Sequence, residues 1–424
     1  MGKLPLRAAI IGMGGFAQEH HRVLRALEQE GQCRLVCTCD PNLEAFRESM
    51  AAWRFAERGV RAFPDYRQML EACAAELDLV TVPTPVPLHA PMHRACVEHG
   101  LACYLEKPPT LDSAELEEML AAEARAAKST MVGFSFIVEA PRQQLKQRLL
   151  QREFGPVRAV RFLGLWPRAT TYFTRAPWAG RLLLDGKLVL DSCIGNAMAH
   201  YIHNLLFWAG QEELLSWEPV VSAQAELYRA HAIESLDTVF ARGLCANGVE
   251  VQVAATHAVA GPHEQWERVE CEQAAITYIT RRGYRIDWKD GRQEAGPADN
   301  RDLLLENVRD YFRYLRGEAS RPLTRLIDSR PFVGFYDLLF VAAGSIATVP
   351  ETSIQRTPVP SEPGEYVAVE DIRAACEDFL ATGRFPSQQG MAWGQTGGQA
   401  TEAQIPQLWA VVEKIAGTIN APTH

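Results

Sequence analysis

Nowhere in its 424 residues does the chain carry an apolar run long enough to cross a bilayer. It also lacks cationic excess: 43 Lys and Arg face 52 Asp and Glu, a net charge of −9 with a pI near 5.7. That balance removes the electrostatic reason to expect nucleic acid or an anionic membrane as partner. Too few residues precede the first strand-like run for a signal peptide, so a cytoplasmic location is expected. No HExxH pattern occurs, and no second cysteine pair answers Cys37-Thr38-Cys39, so no metal is expected. The ten cysteines, among them Cys37, Cys39, Cys103 and Cys193, read as small buried hydrophobes of a reducing compartment. Lysine is scarce, since the chain draws most of its cations from arginine.

The stretch around which the rest is organised is residues 6–40. Ala8-Ala9-Ile10-Ile11 is the apolar run of a strand buried on both faces. Gly12-Met13-Gly14-Gly15-Phe16-Ala17 follows, and residues 18–27 then carry Val23, Leu24 and Leu27 at helical spacing. Strand, glycine-rich bend and helix are the context that gives a GxGxxG/A match its meaning. Gly12 permits a tight bend, Gly14 lets a pyrophosphate approach the backbone, and Ala17 allows close helix–strand packing. The helix N-terminus offers N–H groups and partial positive charge to phosphates. A second strand ends at Asp40, placed for a carboxylate to accept from a ribose hydroxyl. With no adjacent cation in Pro41-Asn42 to offset a 2′-phosphate, the expected cofactor is NAD rather than NADP.

Beyond Asp40 the pattern alternates helix and strand. Helices are expected over 41–57, 65–75 (capped by Asp65), 87–98 and 111–127, with strands over 60–63, 77–82, 101–105 and 131–136. Such alternation means βαβ units and a doubly wound parallel sheet. Ligands of these sheets sit beyond the C-terminal strand ends, where Gly12, Asp40, Thr84, His89 and Glu106-Lys107-Pro108 all fall. Lys107 stands out in a chain that prefers arginine: an ammonium can exchange a proton where a guanidinium cannot. Between Glu106 and Pro108 it suits acid/base or substrate-orienting work; the bland alternative is a surface lysine after a strand.

The glycine turn, Thr84-Pro85 with His89, Glu106-Lys107-Pro108, Val132-Gly133-Phe134 and Phe154-Gly155-Pro156-Val157 together resemble the Gfo/Idh/MocA family (glucose-fructose oxidoreductase, inositol dehydrogenase, rhizopine catabolism). The resemblance covers the N-terminal domain well and extends loosely to about Gly394. It implies a Rossmann domain (1–135), a substrate and oligomerisation domain on an open, mostly antiparallel sheet (136–394), and a tail with a helix (395–424). The α/β fold class follows. It also implies cofactor contacts from Gly12 to Ala17 (Met13, Gly14, Gly15 and Phe16 included), Asp40, Thr84, His89 and Glu106.

The second half agrees by its own pattern. Strands are expected over 157–165, 223–229, 238–244, 250–257, 265–270, 275–279 and 284–288, with Asn247-Gly248 in a hairpin turn. Helices return at 302–316, 323–346, 369–381 and 405–416; 349–365 reads as an ordered excursion or a linker and 388–403 as a mobile loop. On a helix expected over 195–210, Asn196, His200 and His203 share one face. The resemblance gives that helix a His and an Asp beside the nicotinamide. The His falls on His200, but the Asp position is occupied by Asn196, which can orient a hydroxyl and cannot act as base. His203, with Tyr172 and Trp178 as aromatic platforms, is expected to line the substrate.

The implied activity is NAD(H)-dependent oxidation or reduction of a secondary alcohol of a sugar, cyclitol or derivative, with Lys107, His200 and Asn196 at the reacting oxygen. The departure at Asn196 keeps two alternatives open, a redox-neutral glycosidase using NAD and a non-catalytic dinucleotide sensor. A homo-oligomer is expected because an exposed sheet face would otherwise form a large apolar patch.

Overall fold

The structure is a computed structural model describing residues 4–360 and 363–419. The chain forms two units. The first comprises residues up to 110, 114–138 and 301–329; the second comprises 111–113, 139–300 and the chain from 330 onward. The single boundary expected near residue 135 is therefore crossed back once, at 301–329, and residues 395–419 lie with the second unit rather than as a separate tail.

The first unit is built on six strands: β1 (Leu6–Ile11), β2 (Cys33–Cys39), β3 (Arg61–Phe63), β4 (Leu79–Val82), β5 (Ala102–Leu105) and β6 (Met131–Val132). They pair in the order β3-β2-β1-β4-β5-β6, every pairing parallel. This is the doubly wound dinucleotide-binding order, with its topological switch between β1 and β4. Ala8, Ile10, Leu35, Leu79 and Tyr104 pack in its core.

The helix Leu303–Leu315 completes that core from far along the chain. Its Val308, Tyr311 and Phe312 are buried with the strands. Asp302 caps it at Leu305 N (3.1 Å) and pairs with Arg22 at 2.7 Å, while Tyr104 donates to Asn307 at 2.7 Å.

Several expected elements differ. The helix over 41–57 is interrupted, with Arg54 at φ +57°, which leaves Trp53 stacked on His21 at 4.3 Å. The strand over 131–136 stops after Val132, because Gly133 bends the chain into the turn Ser135–Val138. The helix Ala140–Leu150 was not expected at all, although Pro141 at its first turn is a start signal.

The second unit holds a ten-stranded sheet: β7 (Val157–Leu165), β10 (Val220–Arg229), β11 (Thr238–Cys245), β12 (Glu250–Thr256), β13 (Glu264–Cys271), β14 (Ala274–Ile279), β15 (Gly283–Trp288), β16 (Gln293–Gly296), β17 (Ala347–Thr348) and β20 (Gly398–Thr401). The short pair β8 (Leu183–Leu184) and β9 (Lys187–Leu188) and the hairpin β18 (Ile354–Pro358) and β19 (Glu365–Val369) stand apart. All pairings of the large sheet are antiparallel except β7 with β12 and β10 with β17. Of the two readings of 349–365 the structure shows the ordered excursion, which carries β18 and the start of β19, while the supposed mobile loop carries β20, paired with β10, and a buried Trp393.

Alternation along the strands gives the sheet two faces. One meets the site-bearing helix Ala199–Ala209, with Phe162 stacked on Tyr201 at 4.9 Å. On the other, Leu163, Leu165 and Phe240 are buried against Ile372, Ala375 and Phe379 of the helix Ile372–Thr382. Farther along that face Gln224, Arg242, Gln252, Arg161 and Arg268 stand side by side across five strands. The face is therefore covered by the chain's own helix at one end and polar at the other. That polar row is not the open apolar face on which the expectation of an oligomer rested.

Two buried charges fix the helix Ala199–Ala209. Glu267 of β13 accepts from Arg142 (2.6 and 3.0 Å), Asn204 (2.9 Å) and Trp208 (2.6 Å). Lys146 Nζ donates to Phe207 O and Gly210 O at the helix C-terminus, where a cation also suits the dipole. Burial lowers the Lys146 ammonium from the usual 10.5 to about 7. Between those values the unfolded chain holds a proton that the folded chain has released, so stability rises with pH. Wild type is expected to gain on Lys146→Met by up to about 1.4 kcal/mol per pH unit from pH 7 to 10, read from urea midpoints; parallel profiles would refute it.

Candidate active site

The glycine turn is held at several points. Gly12 N donates to Cys39 O at 2.7 Å, and Gly12, at φ +112°, takes a conformation that glycine adopts without strain. A Cβ on Gly12 would lie 3.4 Å from Ala17 Cβ and 3.7 Å from Thr84 Cγ2, so the ends of β1 and β4 meet here. Met13 N donates to Asp40 Oδ2 at 3.0 Å, and Asn42 N donates to Asp40 Oδ1 at 2.9 Å. His21 Nε2 lies 3.2 Å from Gly12 O. Burial lowers this imidazole to about 3, so it is neutral and donates from Nε2. Among the described residues, the N–H groups of Gly14, Gly15 and Phe16 find no acceptor.

The turn after β5 joins the same edge. Glu106 is buried; its Oε1 lies 2.9 Å from His20 Nε2, in the helix Ala17–Gln29, and its Oε2 accepts from Lys107 N at 3.2 Å. A Cβ on Gly133 would sit 2.8 Å from Glu106 Oε1, so only glycine leaves room for that carboxylate. Lys107 follows, half-buried.

His89, expected to touch the cofactor, has another position. Its ring is buried, with Nδ1 2.8 Å from Pro108 O and Nε2 2.7 Å from Thr84 O. It ties the loops after β4 and β5 together. Met13 likewise points into the core, leaving its N–H as its contribution, whereas Phe16 is exposed.

In the second unit the helix over 195–210 is not continuous. A wide turn, Cys193–Ala197, precedes the helix Ala199–Ala209. Ser192 Oγ accepts from Gly195 N at 2.9 Å and bonds Tyr336 OH at 2.7 Å. Just before it, Leu190 sits at φ +49°, a conformation that costs a residue with a side chain. Asn196 Nδ2 donates to Asp191 Oδ1 at 3.1 Å, and Gly180 N donates to Asp191 Oδ2 at 2.8 Å. A carboxylate therefore does stand beside Asn196, supplied from five residues upstream. Sequence spacing missed it because a continuous helix was assumed.

His200 is half-buried at the start of its helix. His203, expected at the substrate, is fully buried and accepts at Nδ1 from Trp217 Nε1 at 3.2 Å. Tyr172 and Trp178 carry the Arg175 guanidinium over their rings at 3.7 and 4.6 Å, so these aromatic faces support a cation rather than lie open to a sugar.

Residues 6–134 match the model of the GFO_IDH_MocA oxidoreductase family, described as an NAD-binding Rossmann fold. That match spans just under a third of the chain. Inositol 2-dehydrogenase of Rhodococcus jostii is 32% identical over 158 residues, which is 37% of this chain and 41% of that protein. UDP-N-acetylglucosamine 3-dehydrogenase of Acidithiobacillus ferrooxidans is 30% identical over 115 residues, 27% of this chain and 32% of that protein. The matches thus span under half the length of either relative. The WlbA dehydrogenase of Bordetella pertussis, solved with NADH and UDP-GlcNAcA, aligns with a TM-score of 0.64 over 79% of this chain and 95% of that one, at 21% identity; this is a likeness of fold.

The first unit fits NAD on its own geometry. Three unspent N–H groups and a helix N-terminus suit a pyrophosphate, and Asp40, oriented by two backbone donors, keeps lone pairs for ribose hydroxyls. His20 is the residue that sequence reasoning overlooked here; its signal was its place one turn past the GxGxxA bend. Gly133→Ala is expected to push Glu106 off His20 and lower unfolding free energy by about 1–3 kcal/mol, measured by urea denaturation. Wild-type stability in that variant would mean the carboxylate moves aside freely.

Proposed function

We propose that the protein is an NAD-dependent oxidoreductase acting on a secondary alcohol of a sugar, cyclitol or derivative. The observation that carries this reading is the Glu106-Lys107 turn. It carries Lys107 just past the end of β5, with its preceding carboxylate locked onto the helix of the glycine turn. The dehydrogenase names of the relatives point the same way. Bound NAD supplies hydride transfer at its nicotinamide. Lys107 holds and polarises the reacting oxygen, and His200 exchanges its proton as general acid/base. Asn196, oriented by Asp191, directs a hydroxyl by hydrogen bonding. With a carboxylate next to Asn196, the departure that had favoured a glycosidase or a sensor loses its force. Ten buried, free cysteines support a cytoplasmic, reducing location; a homo-oligomer now rests on the resemblance alone.

Asp40 is assigned to the adenosine ribose, where it repels a 2′-phosphate. Wild type is expected to bind NAD more tightly than NADP, and Asp40→Ser to narrow the gap, as measured by dissociation constants for both. Equal or tighter NADP binding by wild type removes the assignment.

Lys107→Met and His200→Ala are each expected to cost about 10²- to 10⁴-fold in kcat with NAD affinity almost unchanged. Lys107→Arg separates two roles: a guanidinium keeps the charge and gives up no proton. Loss comparable to Met assigns proton exchange to Lys107; near wild-type turnover makes it an electrostatic anchor and leaves the proton to His200. If none of the three variants alters NADH formation on an accepted sugar, the catalytic assignment is wrong.

A further inference from the structure

Arg168 is held with unusual care and its charge is unspent. The segment that carries it leaves β7 and is stitched at four backbone points. Trp166 N donates to Thr256 O (3.0 Å) and Arg168 N to His257 O (3.2 Å). His257 Nδ1 lies 2.8 Å from Trp166 O, and His231 Nε2 lies 3.1 Å from Arg168 O. His231 is itself fixed by Asp237 Oδ2 at 2.7 Å from its Nδ1, and that carboxylate also accepts from Ala230 N and His231 N.

The guanidinium lies 4.7 Å from the Tyr172 ring and 5.6 Å from the Trp166 ring. Its Nε is closed off from solvent with no acceptor, and among the described residues no carboxylate pairs with it. Three other arginines of this unit are matched by carboxylates: Arg142 with Glu139 and Glu267, Arg148 with Glu153 and Glu294, Arg161 with Glu270. A desolvated donor left unmet costs about 1–3 kcal/mol, and such a group calls for a ligand or a reason.

The position is tied to the candidate site. Arg175 stacks on the same Tyr172 ring, and its Nη2 lies 3.7 Å from Asp191 Oδ2, the carboxylate that holds Asn196. Arg168 and Arg175 thus bring two guanidinium groups to the one Tyr172 ring, in a chain of net charge −9. A planar fork of donors backed by aromatic rings matches a carboxylate or phosphate in two-pronged fashion.

We propose that Arg168 receives an anionic group, carboxylate or phosphate, borne by the substrate, so that the protein takes charged sugar derivatives in preference to neutral sugars and cyclitols. The inference rests on the oxidoreductase reading for the identity of its ligand as a substrate, and on Arg168 alone for the anion.

The test is binding to the NAD-saturated protein by calorimetry, with glucose and myo-inositol as neutral probes, glucuronate for the carboxylate, and glucose 6-phosphate and UDP-glucose for the phosphate. Arg168→Gln and Arg168→Lys are measured alongside. The expected result is that at least one anionic probe binds more tightly than its neutral counterpart, the class that binds telling carboxylate from phosphate. Arg168→Gln should weaken that probe about 10- to 100-fold, with Arg168→Lys in between and NAD affinity unchanged. Neutral and anionic probes binding alike, no anionic probe binding, or Arg168→Gln binding the anion as wild type does would each overturn it. NADH formation separates the two claims. Arg168-dependent anion binding without turnover on any probe fails the oxidoreductase reading and keeps the anion site; turnover on neutral sugars unaffected by Arg168→Gln does the reverse.

Discussion

A buried carboxylate, Glu106, joins three pieces of the first unit that lie far apart in sequence. One oxygen meets His20 on the helix that begins at the glycine turn, the other takes the Lys107 N–H, and Gly133 at the end of β6 leaves the space it fills. A charged group out of water is tolerated only when its lone pairs are met, so helix, turn and strand end must arrive together. His89 adds a second tie, between the loops after β4 and β5. The result is an edge whose backbone donors are held in place by the fold itself, the condition under which electrostatic stabilisation costs least.

Much of this was legible from the chain alone, and the reasons are physical. The glycine turn, Asp40 and the Asp65 cap each require a specific residue type at a specific place, and each stands where expected. The strands of the second sheet were equally readable, because one face packs on helices and the alternation shows. The unread parts depend on contacts between distant residues. His20 has no meaning until Glu106 is near it. Asp191 looks like any loop acid until the turn Cys193–Ala197 brings it to Asn196. His203, Tyr172 and Trp178 carried the right chemistry in the wrong surroundings, taken up by Trp217 and Arg175. The helix Ala140–Leu150 was missed because its buried face includes Arg142 and Lys146, residues that an apolar pattern does not count.

Those two cations show how the second unit holds its own site element. Glu267 gathers donors from Arg142, Asn204 and Trp208, and Lys146 closes the helix end with two carbonyls. A buried ionic cluster contributes little net stability compared with a well-packed apolar one. Its effect here is directional: the helix Ala199–Ala209 has one rotation and one depth at which all of these bonds form. His200 inherits that placement, and so does the register of the turn that presents Asn196.

The return of residues 301–329 to the first unit has a consequence for biosynthesis. During translation the six parallel strands emerge first, yet the helix Leu303–Leu315, with Val308, Tyr311 and Phe312 in their core, is made some 170 residues after β6. At ribosomal speeds of about 5–20 residues per second, the nucleotide-binding sheet waits on the order of ten to thirty seconds with that flank bare. For that interval the nascent chain presents an apolar surface that belongs to its own unfinished core, and a chaperone has a defined patch and a defined window in which to cover it. The domain that is begun first is completed only after most of the second sheet has left the ribosome.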